Sequence, residues 1–156
     1  LLAALCALQT PVIELVNPTT EAEWSAYHDI RRRVLFEDRG RFGVYDESHP
    51  DEYAKGNYPK IAKIGGQAIG VIRIDIAADA AHFRRVAIDT PYQRKGYGTQ
   101  MLSLAEKFVS DNGLRLICSS VDRAAVPFYK KCGYLVSKSD EAISGVPMHK
   151  TLSGSA

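Results

Sequence analysis

The stretch with most chemistry to offer reads Arg85-Val-Ala-Ile-Asp-Thr-Pro-Tyr-Gln93-Arg-Lys-Gly96-Tyr-Gly98-Thr-Gln-Met-Leu102. An apolar strand passes through a proline turn into Gln93-x-x-Gly96-x-Gly98, and an amphipathic helix follows. Glycines at such a junction let peptide N–H groups approach a ligand with no Cβ in the way. The first helical turn leaves about four N–H donors unpartnered and carries about half a positive charge. Together they make an anion site suited to a diphosphate, with the charges of Arg94 and Lys95 at its rim. The pattern is not a Walker A loop, because no Gly-Lys-Ser/Thr closes it. Nor is it the dinucleotide fingerprint: the third glycine and the acidic residue about 20 positions later are missing. A tightly packed helix start also explains two glycines, so the neighbouring elements must decide.

Those elements belong to one domain. The chain has 156 residues, 46% hydrophobic and 24% charged, which excludes disordered, collagenous and coiled-coil classes and supplies one core without covalent staples. Twenty basic against 18 acidic residues leave a charge of +2, too balanced to point to nucleic acid or a membrane surface as partner. Cys6, Cys118 and Cys132 form no C-x-x-C, which argues against a disulfide framework or a zinc site. No metal is expected, and the location expected is cytoplasmic. Leu1 to Leu8 is apolar but too short to span a bilayer. Residues 1–11 read as an appendage that packs on the domain or on a second copy, giving a homodimer.

The domain itself spans 12–152. Val12 to Val16 reads as a strand. Thr19 or Thr20 caps a helix carrying Trp24, Tyr27, Ile30, Val34 and Leu35 at helical spacing to about Glu37, with Arg31, Arg32 and Arg33 pointing largely outward. Asp38 to Pro59 is long for a plain loop and reads as a binding wall or lid. Lys60 to Ile64, Ala68 to Ile76 and Phe83 to Ile88 read as an antiparallel meander, turning at Gly65-Gly66 and at Ala77 to Ala81. A helix through Met101, Leu102, Ala105, Phe108 and Val109 stops at Asn112-Gly113, and Leu114 to Ser119 returns as a strand. A short helix over 124–131 and strands at 134–137 and 148–152 complete a mixed sheet flanked by helices, an α/β (α+β) fold.

In this order, the elements resemble the GNAT superfamily of acetyl-CoA-dependent N-acetyltransferases, and four features carry the likeness. Arg85-Val-Ala-Ile88 is similar to the family's fourth strand, and Gln93-Arg-Lys-Gly96-Tyr-Gly98 to its Gln/Arg-x-x-Gly-x-Gly/Ala signature. Ala125-Val-Pro-Phe128-Tyr129-Lys-Lys-Cys-Gly133-Tyr134 resembles its Ala-x-x-Phe-Tyr-x-x-x-Gly-Phe/Tyr helix. Gly145-Val-Pro147-Met148-His-Lys is similar to the ending of many small-molecule members. The resemblance implies acetyl-CoA as co-substrate and a small-molecule amine as acceptor, acetylated directly in a ternary complex. It implies that peptide groups of Gln93, Arg94, Lys95, Gly96, Tyr97, Gly98 and Thr99 hold the CoA diphosphate. Main-chain groups of Val86, Ala87 and Ile88 would pair with the pantetheine arm like an added strand. In this family the fourth strand splays from the next, and the thioester sits in the gap.

The resemblance also names an acid. Tyr129 matches the tyrosine that many members turn towards the CoA sulfur, and a phenol with a pKa near about 10 holds a proton at neutral pH. His82, three residues before Arg85, falls where the superfamily's histone acetyltransferase has its catalytic glutamate, and an imidazole can accept a proton there. Beside a turn, His82 reads equally well as a solvated residue. Asp122 replaces a frequent Asn of the family and reads as a cap for the following helix. Arg84 and Arg85 alternate along their strand, so one can face the acceptor and attract a carboxylate or phosphate. Asp46, Glu47, Asp51 and Glu52 offer the opposite, a cationic acceptor site, or solvate a loop. Cys118 and Cys132 read as structural. A peptide acetyltransferase and a non-catalytic acyl-CoA-binding module are the competing readings.

Overall fold

The computed structural model describes residues 11–138 and 145–154. The expected appendage lies, but for Pro11, outside the described residues.

Thr20 opens the first helix, α1 (Glu21–Leu35), by a reciprocal cap: the Glu23 N–H donates to Thr20 Oγ1 at 3.1 Å, and Glu23 Oε1 accepts from the Thr20 N–H at 3.2 Å. Before it runs β1 (Glu14–Val16). After it, residues 36–56 are irregular with short 3-10 turns at Glu37–Arg39 and Pro50–Glu52, and the expected 38–59 loop is shorter because its last three residues enter a strand. The meander is β2 (Asn57–Ile64), β3 (Gln67–Ala77) and β4 (Ala80–Ile88). Helix α2 (Tyr97–Asp111) crosses to β5 (Leu116–Val121), and α3 (Val126–Lys131), β6 (Leu135–Val136) and β7 (Val146–Thr151) follow. The sheet order is β1-β2-β3-β4-β5-β7-β6, with β4 and β5 parallel and every other pair antiparallel. This is the mixed sheet with flanking helices that the sequence predicts. No described helix is long and apolar enough to cross a membrane.

The two faces of β3 explain the layers. Ile72 and Ile74 pack with Met101, Leu102, Ala105 and Val109 of α2, whereas Val71 on the alternate face packs with Tyr27 and Ile30 of α1. Several boundaries differ from expectation: β2 starts at Asn57 rather than Lys60 and β7 at Val146 rather than Met148, and two further shifts have a local cause. The β3–β4 turn shrinks to Ala78 and Asp79, with Ala78 at φ 54°, so β4 starts at Ala80 rather than Phe83. Strand β5 starts at Leu116 rather than Leu114, because residues 112–114 finish α2: the Leu114 N–H donates to the Val109 carbonyl at 3.1 Å.

Two irregularities of β4 position the site. Its parallel ladder with β5 runs from Ala80↔Leu116 to Phe83↔Ser119 and stops there, although both strands continue. On the other edge, pairing shifts between Val71↔Ala87 and Arg73↔Arg84, leaving Arg85 and Val86 against Ile72 alone. Arg85 takes φ 55° at this bulge. A bulge bends the strand that carries it, and here it bends β4 beside the point where β4 leaves β5.

Candidate active site

The segment expected to cradle an anion follows β4. Asp89 Oδ1 accepts from the Thr90 N–H at 2.9 Å, and both Asp89 oxygens receive the Arg33 guanidinium of α1, at 2.9 and 3.3 Å. Gln93 Nε2 donates back to the Ile88 carbonyl at 2.8 Å, closing the turn. Arg94 (φ 61°) and Gly96 (φ 86°) both adopt the left-handed conformation. Gly96 caps α2 with no side-chain hydrogen bond, so the first-turn N–H groups of Tyr97, Gly98 and Thr99 remain open. A Cβ on Gly98 would stand 3.0 Å from Phe128 Cζ, so this glycine is a packing requirement of α2 against α3. The Tyr97 side chain is buried in the core, which leaves its backbone for a ligand; the Arg94 and Lys95 side chains are exposed.

Between the diverging strands lies a cleft of about 170 Å³. Phe83, Arg85 and Val86 of β4 face Ser119, Ser120 and Val121 of β5 across it, with Tyr129 of α3 in its lining. Ala87 is instead buried against α1. Tyr129 is 5% exposed, and burial pushes its phenol up to about 12, with the neighbouring Ser119 opposing the rise. Asp122 also lines the cleft but makes no cap: its carboxylate meets Arg39 Nη2 at 3.3 Å.

The cleft opens into a cavity of about 610 Å³ walled by the 41–52 segment. Arg41, Phe83, Arg85 and Ser120 border both spaces. Behind the cavity is a charged network that the sequence reading missed. Arg31, predicted to point outward, is 2% exposed and pairs with Glu52, itself 3% exposed. Glu52 also accepts from Tyr27 Oη and Arg73 Nη1, each at 2.9 Å, and Arg73 grips both oxygens of Asp75 at 2.7 and 2.8 Å. Arg84 Nε reaches Asp75 at 3.2 Å. Burial alone would raise the Glu52 pKa, but the Arg31 guanidinium, with help from Tyr27 and Arg73, holds it below the usual carboxylate value. The signal for Arg31 was present: positions 27, 30, 31 and 34 share one helix face.

His82 lines neither space. It sits where β4 is still paired with β5, opposite Cys118, and with β3, opposite Asp75, which itself lines the larger cavity. Desolvation, then Arg84, lowers its pKa, with Asp75 opposing. Burial raises the Cys118 and Cys132 thiols, so neither is poised as a nucleophile. No group of three His, Cys, Asp or Glu among the described residues is placed to hold a metal.

Comparison with known proteins agrees with this geometry. Bacillus subtilis YyaT, named as an uncharacterized protein, is 26% identical over 129 residues, covering 83% of this chain and 87% of YyaT. A Lactobacillus plantarum crystal structure assigned provisionally as an N-acetyltransferase superposes with TM-score 0.76 at 25% identity, covering 90% of this chain and 99% of that one. The PaiA N-acetyltransferase of Thermoplasma acidophilum, crystallised with coenzyme A, gives TM-score 0.70 at 22% identity over 89% of this chain and 98% of its own. The family profile described as Acetyltransferase (GNAT) family matches residues 12–134, which take in the forked strands, the open helix start and Tyr129, and the chain belongs to that family.

Proposed function

We propose that this acetyltransferase moves an acetyl group from acetyl-CoA to a primary amine of a small molecule, directly and in a ternary complex. The observation that carries the reading is the continuity of three parts. The open N–H groups of residues 97–99 begin the helix that packs at Gly98 against α3, Tyr129 of α3 lines the forked β4–β5 cleft, and that cleft shares Arg41, Phe83, Arg85 and Ser120 with the walled cavity. Acetyl-CoA supplies an activated acetyl thioester when bound.

The chain's own residues do the rest. Peptide N–H groups from Gln93 to Thr99 hold the diphosphate, with Arg94 and Lys95 adding charge at the rim. The edge of β4 at Val86, Ala87 and Ile88, free of β5, offers strand-type pairing to the pantetheine arm. Tyr129 keeps its proton at Oη, delivers it to the departing thiolate and regains one through water from the proton the amine releases. The amine loses its proton to water in the cavity, and His82 has no part in this reading. The raised thiols favour direct transfer over an acetyl-cysteine intermediate. The 41–52 wall along one side of the cavity favours a small acceptor over a protein chain.

The test combines calorimetry with CoA and acetyl-CoA and initial-rate kinetics on an amine panel followed by thiol release. Saturable heat and intersecting double-reciprocal lines are expected. No heat with either coenzyme form overturns the reading, and parallel lines overturn direct transfer.

A further inference from the structure

Ion pairing in the cavity singles out the end it shares with the cleft. Arg31, Arg73 and Arg84 share Glu52 and Asp75 as partners. Asp46 binds the Ser48 hydroxyl at 2.8 Å, and Asp51 lies 3.7 Å from His49. None of these four carboxylates borders the cleft, and Asp122, which does, is engaged by Arg39. Arg41 and Arg85 border both spaces, yet neither has a carboxylate partner among the described residues. Each stacks on Phe36 instead, at 5.0 and 5.3 Å from the ring centroid.

Three further observations point the same way. Arg85 sits at φ 55°, a conformation costly for a side-chain-bearing residue, and such strain concentrates where ligands are clamped. Arg31 Nε, buried in the wall of the larger cavity, has no hydrogen-bond partner among the described residues. Desolvation, then the charges of Arg31, Arg73 and Arg41, depress the Arg85 pKa against the opposing charge of Glu52, so an arriving anion would relieve crowding among cations.

We propose that the acceptor carries an anionic oxygen group, a carboxylate or a phosphoryl group, within a carbon or two of its amine, and that Arg41 and Arg85 hold it. The closeness follows from position: the same two side chains border the cleft, so an anion between them lies beside the reacting end. Guanidinium forks match both oxyanions. Long polycations are opposed by the same charges. The inference rests on acetyl transfer as read in the preceding subsection.

The experiment uses matched amines with acetyl-CoA: alanine against alaninamide, and 2-aminoethylphosphonate against ethanolamine, with spermidine as polycation. A second arm titrates N-acetylalanine and N-acetylalaninamide into the CoA-loaded protein. The anionic member of at least one pair should be preferred by about tenfold or more in kcat/KM, expressed mainly in KM. The pair that responds separates carboxylate from phosphoryl recognition. Arg85→Gln should erase the preference and Arg85→Lys keep part of it, both with unchanged melting temperature. Equal use of the members of both pairs overturns the anion site and leaves acetyl transfer standing wherever thiol is released; where every amine is silent, equal or absent binding of the two N-acetyl compounds overturns the anion site too. Silence of every amine alongside preferred binding of N-acetylalanine would sink acetyl transfer and keep the anion site.

Discussion

Phe83 and Ser119 form the last rung between β4 and β5, and the Ser119 hydroxyl donates to the Phe83 carbonyl at 3.0 Å. The side chain thus satisfies a backbone acceptor where the ladder ends, and it also engages Tyr129. Ser119→Ala should lower stability by about 1 kcal/mol through the unmet carbonyl. It should also reduce kcat, with acetyl-CoA affinity little changed. Thermal denaturation and steady-state kinetics check both; an unaltered kcat would show that the fork does not need this hydroxyl.

Tyr129→Phe should cut kcat by about 10²-fold or more while CoA binding by calorimetry stays near wild type. The pH profile follows from the phenol standing at about 12. A raised pKa keeps Oη protonated throughout the working range, so rates should climb as the acceptor amine deprotonates, with no falling limb below pH 10 or so. A falling limb near neutrality that disappears in Tyr129→Phe would contradict the assignment.

Gly98→Ala puts a methyl 3.0 Å from Phe128 Cζ, tighter than an ordinary contact. The start of α2 and the helix bearing Tyr129 must then move apart. Acetyl-CoA affinity and kcat should both fall, about tenfold each, whereas Gly96→Ala should weaken affinity chiefly through its φ of 86°. Equal effects on both parameters from the two variants would remove this distinction.

Glu52→Ala leaves Arg31 and Arg73 buried without their shared carboxylate. Breaking such a pair costs about 3–5 kcal/mol. Because the folded Glu52 pKa is depressed, its contribution is complete above the unfolded carboxylate value and is lost as pH falls through the folded one. Urea midpoints across pH 2–7 or so should therefore converge for wild type and variant at the acid end. Parallel curves would mean that the network adds nothing electrostatic.

Arg85→Gly relaxes a left-handed backbone position and removes one of several crowded guanidiniums. Stability should rise by about 1 kcal/mol while the preference for anionic acceptors disappears. A fall in melting temperature would show that Arg85 is structural.

Much of the fold was legible because its signals are local. Ile72 and Ile74 alternate with Val71, Thr20 and Glu23 carry a capping pattern, and Gly96-x-Gly98 breaks strand from helix. Boundaries slipped where tertiary hydrogen bonds decide, as at Leu114, whose N–H completes the preceding helix. Within the candidate site, Tyr129 and the open helix start were recoverable from motif and resemblance. Arg31 was not read correctly, since a run of three arginines suggests a solvated face and only its phase against Tyr27 and Ile30 says otherwise. Arg41 lay in a stretch with no periodicity, so no sequence rule could aim it. The bulge at Arg85 is equally silent, because register is fixed by pairing with β3.

The bond from Arg33 to Asp89 has an evolutionary corollary. It is a strut between the first helix, which reaches the larger cavity at Arg31, and the bend that precedes the open start of α2. A lineage that remodels this helix to accept a new compound would disturb the coenzyme end as well if it lost that strut. Positions of the 41–52 segment other than Arg41 and Glu52, which anchors Arg31 and Arg73, are freer to vary.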